Sequence, residues 1–346
     1  MIKKELIKIK LLSEINESDL LNFYAVAYPL RYKVMYKHWK WIYRTSLFGF
    51  EPITINYDNK LVGHAGVIST NINYKNNILK GIWFVDFIIL PEYRNKGLGK
   101  NLTEKWMKIS PYQLTFCNDQ SLNIFKKFGW IENKKYYKTC NPINPLKWIP
   151  LIKSMDSKIL NRINFFKFFK KINSLNKIDP FKLTNNNKLL IEAFQSNEIN
   201  NNYNEASILR DENWINWRLL QSPFSDKYFF FLKDRSFIVV SIYNYQNKKR
   251  LNIIYSKCEN STYEILLNRL IIKWSVENNI DVIWLNTTEI ESKEYIKKLY
   301  PYRYGINFAC NADEINIKKS TLKNITNIQA IDSDNDIIFL NNDNTK

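Results

Sequence analysis

One stretch constrains the fold of this chain more than any other. The run Ile82-Trp83-Phe84-Val85-Asp86-Phe87-Ile88-Ile89-Leu90 is short, β-branched and aromatic, and it leads through Pro91-Glu92-Tyr93-Arg94-Asn95-Lys96 into Gly97-Leu98-Gly99-Lys100. From Leu98 to Ile109 the apolar residues fall at helical spacing, so the stretch reads as a strand, a cationic glycine-bearing turn and a helix. A helix start presents unpaired N–H groups and about half a positive charge, and glycine lets backbone approach a ligand closely. Arg94 and Lys96 add positive charge, and the planar guanidinium of Arg94 can bind phosphate bidentately. The implied ligand is a phosphate or diphosphate. The alternative reading of the turn alone is a basic strand-to-helix connection whose glycines serve geometry.

Spacing separates this loop from other phosphate cradles. A dinucleotide fold requires Gly-x-Gly-x-x-Gly and a P-loop ends in Gly-Lys-Ser/Thr, and neither is present. Further on, Tyr112 to Cys117 reads as a strand, and Asn118-Asp119-Gln120-Ser121-Leu122-Asn123-Ile124-Phe125-Lys126-Lys127-Phe128-Gly129-Trp130 as a helix stopped by glycine.

Together, Arg94-x-x-Gly97-x-Gly99 after a strand and the Asn118 to Trp130 element resemble the two halves of the coenzyme site in the Gcn5-related N-acetyltransferase (GNAT) superfamily. The likeness covers about residues 5 to 140. It implies a mixed α/β fold, a mostly antiparallel sheet flanked by helices. It also implies that Arg94, Asn95, Lys96, Gly97, Leu98, Gly99 and Lys100 hold the pyrophosphate of acetyl-CoA, and that the strand backbone at Ile88, Ile89 and Leu90 pairs with the pantetheine. Asn118 matches the family Asn, and Phe125, seven residues on, takes the place of a Tyr that in many members protonates the leaving thiolate. A phenyl ring has no proton to give. Thiols have a reference pKa of about 8.5, so departure without such help is chemically tolerable.

Asp86 interrupts an apolar strand where the resemblance places a carboxylate facing the acceptor amine, and it is the expected general base. Strand alternation puts it on the face opposite both Val85 and Phe87. The competing reading is a strand residue on a solvated face or a carboxylate paired with a buried cation. His38 and His64 are the only histidines, and Cys117, Cys140, Cys258 and Cys310 form no Cys-x-x-Cys pair, so no metal centre is expected. His64 reads as a hydrogen-bonded structural residue and Cys117 as a small apolar strand residue.

At 346 residues and 45% apolar content the chain can bury a large core, and its length suggests two domains. Lysines interleave the first ten residues, and no apolar run approaches the roughly 20 residues of a membrane span, so the expectation is a cytoplasmic protein. The net charge of +18 is dispersed, because Lys, Asn and Ile are frequent throughout, as in an AT-rich bacterial genome. It therefore argues for solubility and attraction to anionic ligands, coenzyme A, nucleotide sugars, acyl carrier proteins or acidic membranes alike, rather than for nucleic acid.

The second half echoes the first. Trp39-Lys40-Trp41-Ile42-Tyr43 followed by strands recurs as Trp214-Ile215-Asn216-Trp217-Arg218 followed by strands at Tyr228 to Leu232, Ser236 to Tyr243 and Leu251 to Tyr255, a helix at Tyr263 to Glu277 and a strand at Val282 to Leu285. No Arg-x-x-Gly-x-Gly lies between Tyr255 and Tyr263, so the second copy lacks the coenzyme loop. An unrelated α/β domain is the alternative. The expected organisation is two GNAT-like domains in tandem: a catalytic domain at 1–140, a basic aromatic connection at 141–180, a degenerate domain at 181–320 and a polar tail at 321–346. The connection, with Phe165-Phe166-Lys167-Phe168-Phe169-Lys170-Lys171, reads as a helix packed between domains rather than a helix on an acidic membrane.

The expected activity is acetyl-CoA-dependent N-acyl transfer, by direct attack in a ternary complex, to a small amine. An amino sugar of surface polysaccharide synthesis, nucleotide-linked or free, is favoured through the resemblance to bacterial tandem proteins. The rivals are an aminoacyl or peptidyl transferase like the Fem enzymes and a non-catalytic acyl-CoA-binding protein.

Overall fold

The structure is a computed structural model. It describes residues 3–29, 31–43, 49–144, 182–184, 188, 191–192, 205–224, 228–233, 236–245, 248–288, 300, 302–326, 328 and 332. The expected helix at 146–171 and the Asn-rich stretches at 185–187 and 200–202 lie outside these residues.

In chain order the elements begin β1 (Ile7–Leu11), α1 (Glu17–Ala27), α2 (Tyr32–His38) with a π-helical turn at Trp39–Tyr43, β2 (Ile53–Tyr57), β3 (Lys60–Tyr74), β4 (Asn77–Ile89), α3 (Leu98–Trp106), β5 (Tyr112–Cys117), α4 (Asp119–Lys127) and β6 (Ile131–Pro142). They continue with β7 (Lys182–Thr184), β8 (Ser207–Leu209), α5 (Glu212–Ile215) with a π-helical turn at Asn216–Leu220, β9 (Tyr228–Lys233), β10 (Ser236–Tyr245) and β11 (Lys248–Lys257). The last are α6 (Ser261–Glu277), β12 (Val282–Thr288), β13 (Tyr302–Ala312) and α7 (Lys319–Lys323). They form two compact units interleaved along the chain. One comprises residues 1–134, 198–225 and 306–341, and the other 135–197, 226–305 and 342–346.

In the first unit β1 to β4 form an antiparallel meander, and β5 joins β4 in parallel. The β2–β3 and β3–β4 turns are Asp58-Asn59 (φ 50° and 59°) and Lys75-Asn76 (φ 52° and 62°), the left-handed pairs that two-residue hairpins require. Residues 307–312 of β13 lie antiparallel to β5, so this sheet is completed by residues from the end of the chain. One face carries α3 and α4 over a core of Ile53, Ile55, Val67, Phe84, Leu98, Leu102, Trp106, Leu122, Phe125 and Trp130. Helix α1 begins after Asn16, its N-cap residue. The Trp41 indole donates to the Trp217 carbonyl at 2.8 Å, and its ring packs on those of Trp217 and Phe224. The two π-helical tryptophan segments therefore meet inside one unit.

In the second unit β9, β10 and β11 form another antiparallel meander, α6 follows, and β12 returns parallel to β11. This is the order β2-β3-β4-α3-β5 of the first unit. Its core is aliphatic, with Ile238, Val240, Leu251, Ile253, Leu267, Ile271 and Ile283. Asn141 and Pro142, expected to open a linker, are instead the last residues of β6 and pair with Ile283 and Val282. A proline is tolerated at such a strand end, where its missing donor interrupts no continuing ladder.

Candidate active site

The loop after β4 is built by a series of local constraints. The Leu90 amide donates to the Val62 carbonyl at 2.9 Å, which holds the strand end in the sheet. Pro91–Tyr93 then form a single 3-10 turn, and Arg94 Nε reaches back to the Ile89 carbonyl at 2.9 Å. Asn95 (φ 59°) and Gly97 (φ 85°) are both left-handed, and Gly97 is the N-cap of α3. A glycine there has no side chain to accept the first helical amides. A Cβ added to Gly97 would meet nothing within 4 Å, so the space outside those amides is open. Leu98 is buried and anchors the helix beneath the loop. Helices α4 and α6 differ: Asn118 Oδ1 accepts from the Ser121 amide and Asn260 Oδ1 from the Tyr263 amide, both at 2.9 Å.

The residues expected at the coenzyme site take different positions. Arg94 to Gly97 and Lys100 are exposed on the loop. The Ile89 carbonyl and the Leu90 amide are already bonded within the protein. Asn118 caps α4. Phe125 is 6% exposed, its ring 4.6 Å from Trp130 and 6.3 Å from Trp106, so it is a core residue rather than part of a binding surface. The apolar ring that cannot donate a proton is placed where burial is most favourable.

Strands β4 and β5 register only at Ile82 with Gln113 and Trp83 with Leu114, after which the Thr115 hydroxyl donates to the Phe84 carbonyl. From there β4 runs on to Ile89 and β5 to Cys117 without a common ladder, so the two strands splay apart. Beside this opening β4 carries a bulge. Gly66 pairs with Val85 and His64 with Ile88, so Asp86 and Phe87 together face Ala65, and Asp86 is left-handed at φ 48°. The extra residue corrects the simple alternation. Phe84 and Phe87, three apart, both stack on Trp106, with centroids 3.6 and 5.3 Å away. Asp86 points the other way, toward α1 and α2.

There Asp86 is gripped from several elements. The Tyr43 hydroxyl donates to Oδ2 at 2.5 Å, and Arg31 lies 3.4 Å from Oδ1, with the Asp86 side chain 3% exposed. Its carbonyl accepts from the Tyr28 hydroxyl at 3.0 Å and contacts His64 Nδ1 at 3.1 Å. A carbonyl can only accept, so Nδ1 carries the hydrogen, and Nε2, 3.3 Å from the Tyr24 hydroxyl, is the acceptor of that bond. Burial lowers the pKa of His64 despite the opposing effect of Asp86, which keeps the ring neutral. Burial first, then Asp86, raises that of Tyr24 well above its ordinary value. His64 is thus structural, as its sequence context indicated. Sequence reasoning missed Tyr24, Tyr28, Arg31 and Tyr43. The i, i+4 spacing of Tyr24 and Tyr28 on one helix face was the available signal.

Cys117 lies at the end of β5, its thiol pushed up to about 12, mainly by burial and then by Glu132 and Asp119. It stays protonated at neutral pH and is a poor nucleophile. Among the described residues no group of three or more His, Cys, Asp or Glu side chains is arranged to hold a metal ion, and no helix is long and apolar enough to cross a membrane.

A splayed parallel pair, a bulge beside it and an uncapped glycine turn at the following helix thus lie together in the first unit. Residues 13–130 match the acetyltransferase (GNAT) family model, and this part of the chain is a GNAT acetyltransferase domain. Solved structures of the same fold extend the likeness beyond it. A GCN5-related N-acetyltransferase from Kribbella flavida aligns with a TM-score of 0.55 at 11% identity, over 88% of this chain and 71% of its own. One from Anabaena variabilis gives 0.53 at 13%, over 88% and 72%. Saccharomyces cerevisiae N-myristoyltransferase with bound myristoyl-CoA gives 0.59 at 12%, over 90% and 81%. No curated protein sequence matches the chain.

Proposed function

We propose that this protein is an acyl-CoA-dependent N-acyltransferase, using acetyl-CoA and acting on a small amine. The observation that carries the reading is the start of α3, where Gly97 caps the helix without a side chain and leaves the first amides open to an anion. The residues fit the coenzyme: the amides of Gly97 to Lys100 and the cation of Lys96 would hold its pyrophosphate, and Arg94 braces the turn against Ile89. Bound there, the coenzyme supplies an acyl group activated as a thioester. Binding of myristoyl-CoA by the yeast N-myristoyltransferase of like fold is consistent with this choice of donor.

Asp86 is our choice of proton acceptor. It stands at the bulge beside the opening between β4 and β5, and water must carry the proton to it because its side chain is nearly buried. An amino sugar is the acceptor class we infer, and it is the first to test. Asp86→Asn keeps the size of the side chain and an oxygen for the Tyr43 hydroxyl. It is expected to leave acetyl-CoA affinity within about twofold and to slow turnover by about 100-fold, in line with loss of a general base. Calorimetry and a thiol-release assay with amine acceptors measure the two effects. Full turnover across a pH series would assign Asp86 to holding the bulge alone.

A further inference from the structure

We propose that the second unit carries a binding site of its own for a small phosphorylated and hydroxylated molecule of the sugar phosphate class. The site lies on the sheet face turned away from α6, around Lys138, Arg250 and Trp284. It stands apart from the acyl-CoA reading, whose residues belong to the first unit.

Strand register sets four side chains in one row across this face. Ser241 of β10 pairs with Asn252 of β11, Asn252 with Trp284 of β12, and Trp284 with Cys140 of β6, and directly paired residues share a face. Neighbouring strands lie about 4.8 Å apart, so the row is about 14 Å long, enough for a small phosphorylated sugar. The sequence neighbours Leu251, Ile253, Ile283 and Leu285 turn the other way, into the core with Leu267 and Ile271 of α6. The row itself is polar yet buried, with Ser241 0% and Asn252 2% exposed. Among the described residues, Ser241 Oγ, Trp284 Nε1 and Asn286 Oδ1 are shielded from solvent without a hydrogen-bond partner. Burial of such groups is unfavourable, and a ligand that completes their bonds offsets it.

Two cations flank the row. Arg250 stands two residues before Asn252 on β11 and Lys138 two before Cys140 on β6, so both share its face. Lys138 pairs with Asn286, and its ammonium lies 5.1 Å from the centre of the Trp284 ring. The two charges converge there. Burial and then Arg250 push Lys138 down to about 8, and both cations act on the buried Cys140 thiol. A phosphate monoester dianion matches two positive charges, and the Arg250 guanidinium and the Trp284 N–H are directional donors to its oxygens. Those oxygens only accept. The Asn286 oxygen therefore calls for a donor on the rest of the ligand, which a sugar hydroxyl provides, and the Ser241 hydroxyl can pair with another. Tyr304, 6.0 Å from Trp284 between ring centroids and 49% exposed, marks the side where the site meets solvent.

The test is calorimetric titration of the full chain at low salt, where charge attraction is least screened, with glucose 6-phosphate, ribose 5-phosphate, inorganic phosphate and glucose. At least one sugar phosphate is expected to bind at one equivalent, about tenfold more tightly than inorganic phosphate, and glucose is expected not to bind. Lys138→Met keeps the length of the side chain and removes its charge, and should weaken the sugar phosphate by more than about tenfold. Ser241→Ala should weaken it by about threefold and leave inorganic phosphate unchanged. Gly97→Asp, which alters the anion cradle of the first unit, should change none of these affinities. Circular dichroism checks that the variants fold, and the wild-type preference among the four probes depends on no variant. Failure of both sugar phosphates to bind overturns the proposal, as does equal affinity in the wild-type protein and Lys138→Met. Inorganic phosphate bound as tightly as the sugar phosphates overturns the hydroxylated ligand. Loss of binding in Gly97→Asp would assign it to the glycine turn and likewise overturn the site.

Discussion

Gly97→Asp is expected to abolish coenzyme A binding, weakening it by more than about 100-fold, while the protein remains folded. Strain and charge act separately at this position. At φ 85° any residue with a side chain is strained, by about 1–2 kcal/mol, though Asp tolerates this region better than most. A Cβ at this position meets no neighbour. Aspartate is also a favoured N-cap, so its carboxylate would accept the amides at the start of α3 and support the helix. It would thereby occupy the site with a negative charge and exclude a second anion. Gly97→Ala carries the strain without the charge and is expected to lose no more than about tenfold. Calorimetric titration with coenzyme A distinguishes them. Equal losses in both variants would assign the effect to strain, and unchanged affinity in Gly97→Asp would show that the loop binds no anion.

The second large effect concerns stability. Arg210 and Asp332 form a bidentate pair, Nε to Oδ1 at 2.8 Å and Nη2 to Oδ2 at 2.6 Å, with both side chains fully buried. Asp332→Ala leaves a buried guanidinium without this carboxylate and is expected to cost about 3–5 kcal/mol. Denaturant unfolding with a probe in the first unit measures the loss. Arg210→Met with Asp332→Leu, which removes both charges, is expected to recover most of it, since a buried pair and a well-packed apolar pair are often comparable in stability. A loss below about 1 kcal/mol in Asp332→Ala would show that the 332 region does not stabilise this unit.

Much of the site could be read before the fold was known, because its determinants are local. A β-branched run, two glycines two apart and an apolar helical period lie within 28 residues and fix strand, turn and helix without help from elsewhere. The strand Tyr112–Cys117 was legible for the same reason. The bulge was not. Period-2 alternation assumes one residue per position, and the extra residue at Asp86 is set by packing of Phe84 and Phe87 on Trp106 and by hydrogen bonds from Tyr28, Tyr43 and His64. Those partners come from α1, the π-helical turn and β3, and sequence carries no direct record of such convergence. Phe125 was placed by its offset from Asn118, whereas its surroundings, Trp106 and Trp130, are decided by the packing of α3 and α4. The return of residues 198–225 and 306–341 to the first unit is likewise a tertiary fact. It rests on contacts such as Trp41 with Trp217 and the pairing of β13 with β5.

The repeated order of elements in the second unit does not bring a second loop with it. The connection from β11 to α6 is three residues long, contains no glycine, and ends in Asn260, which caps α6 with its own side chain. The open glycine turn proposed to hold the coenzyme therefore has no counterpart in this connection.

The chain has only eight glycines, so a spectrum of protein labelled with 15N at glycine alone contains one backbone amide signal for each. Titration with acetyl-CoA while recording that spectrum tests whether the turn at Gly97 holds the coenzyme. Saturation at one equivalent, with the Gly97 and Gly99 signals moving most and those of Gly49, Gly129 and Gly305 staying in place, is the predicted result. No movement at Gly97 and Gly99 when acetyl-CoA is in excess would contradict it.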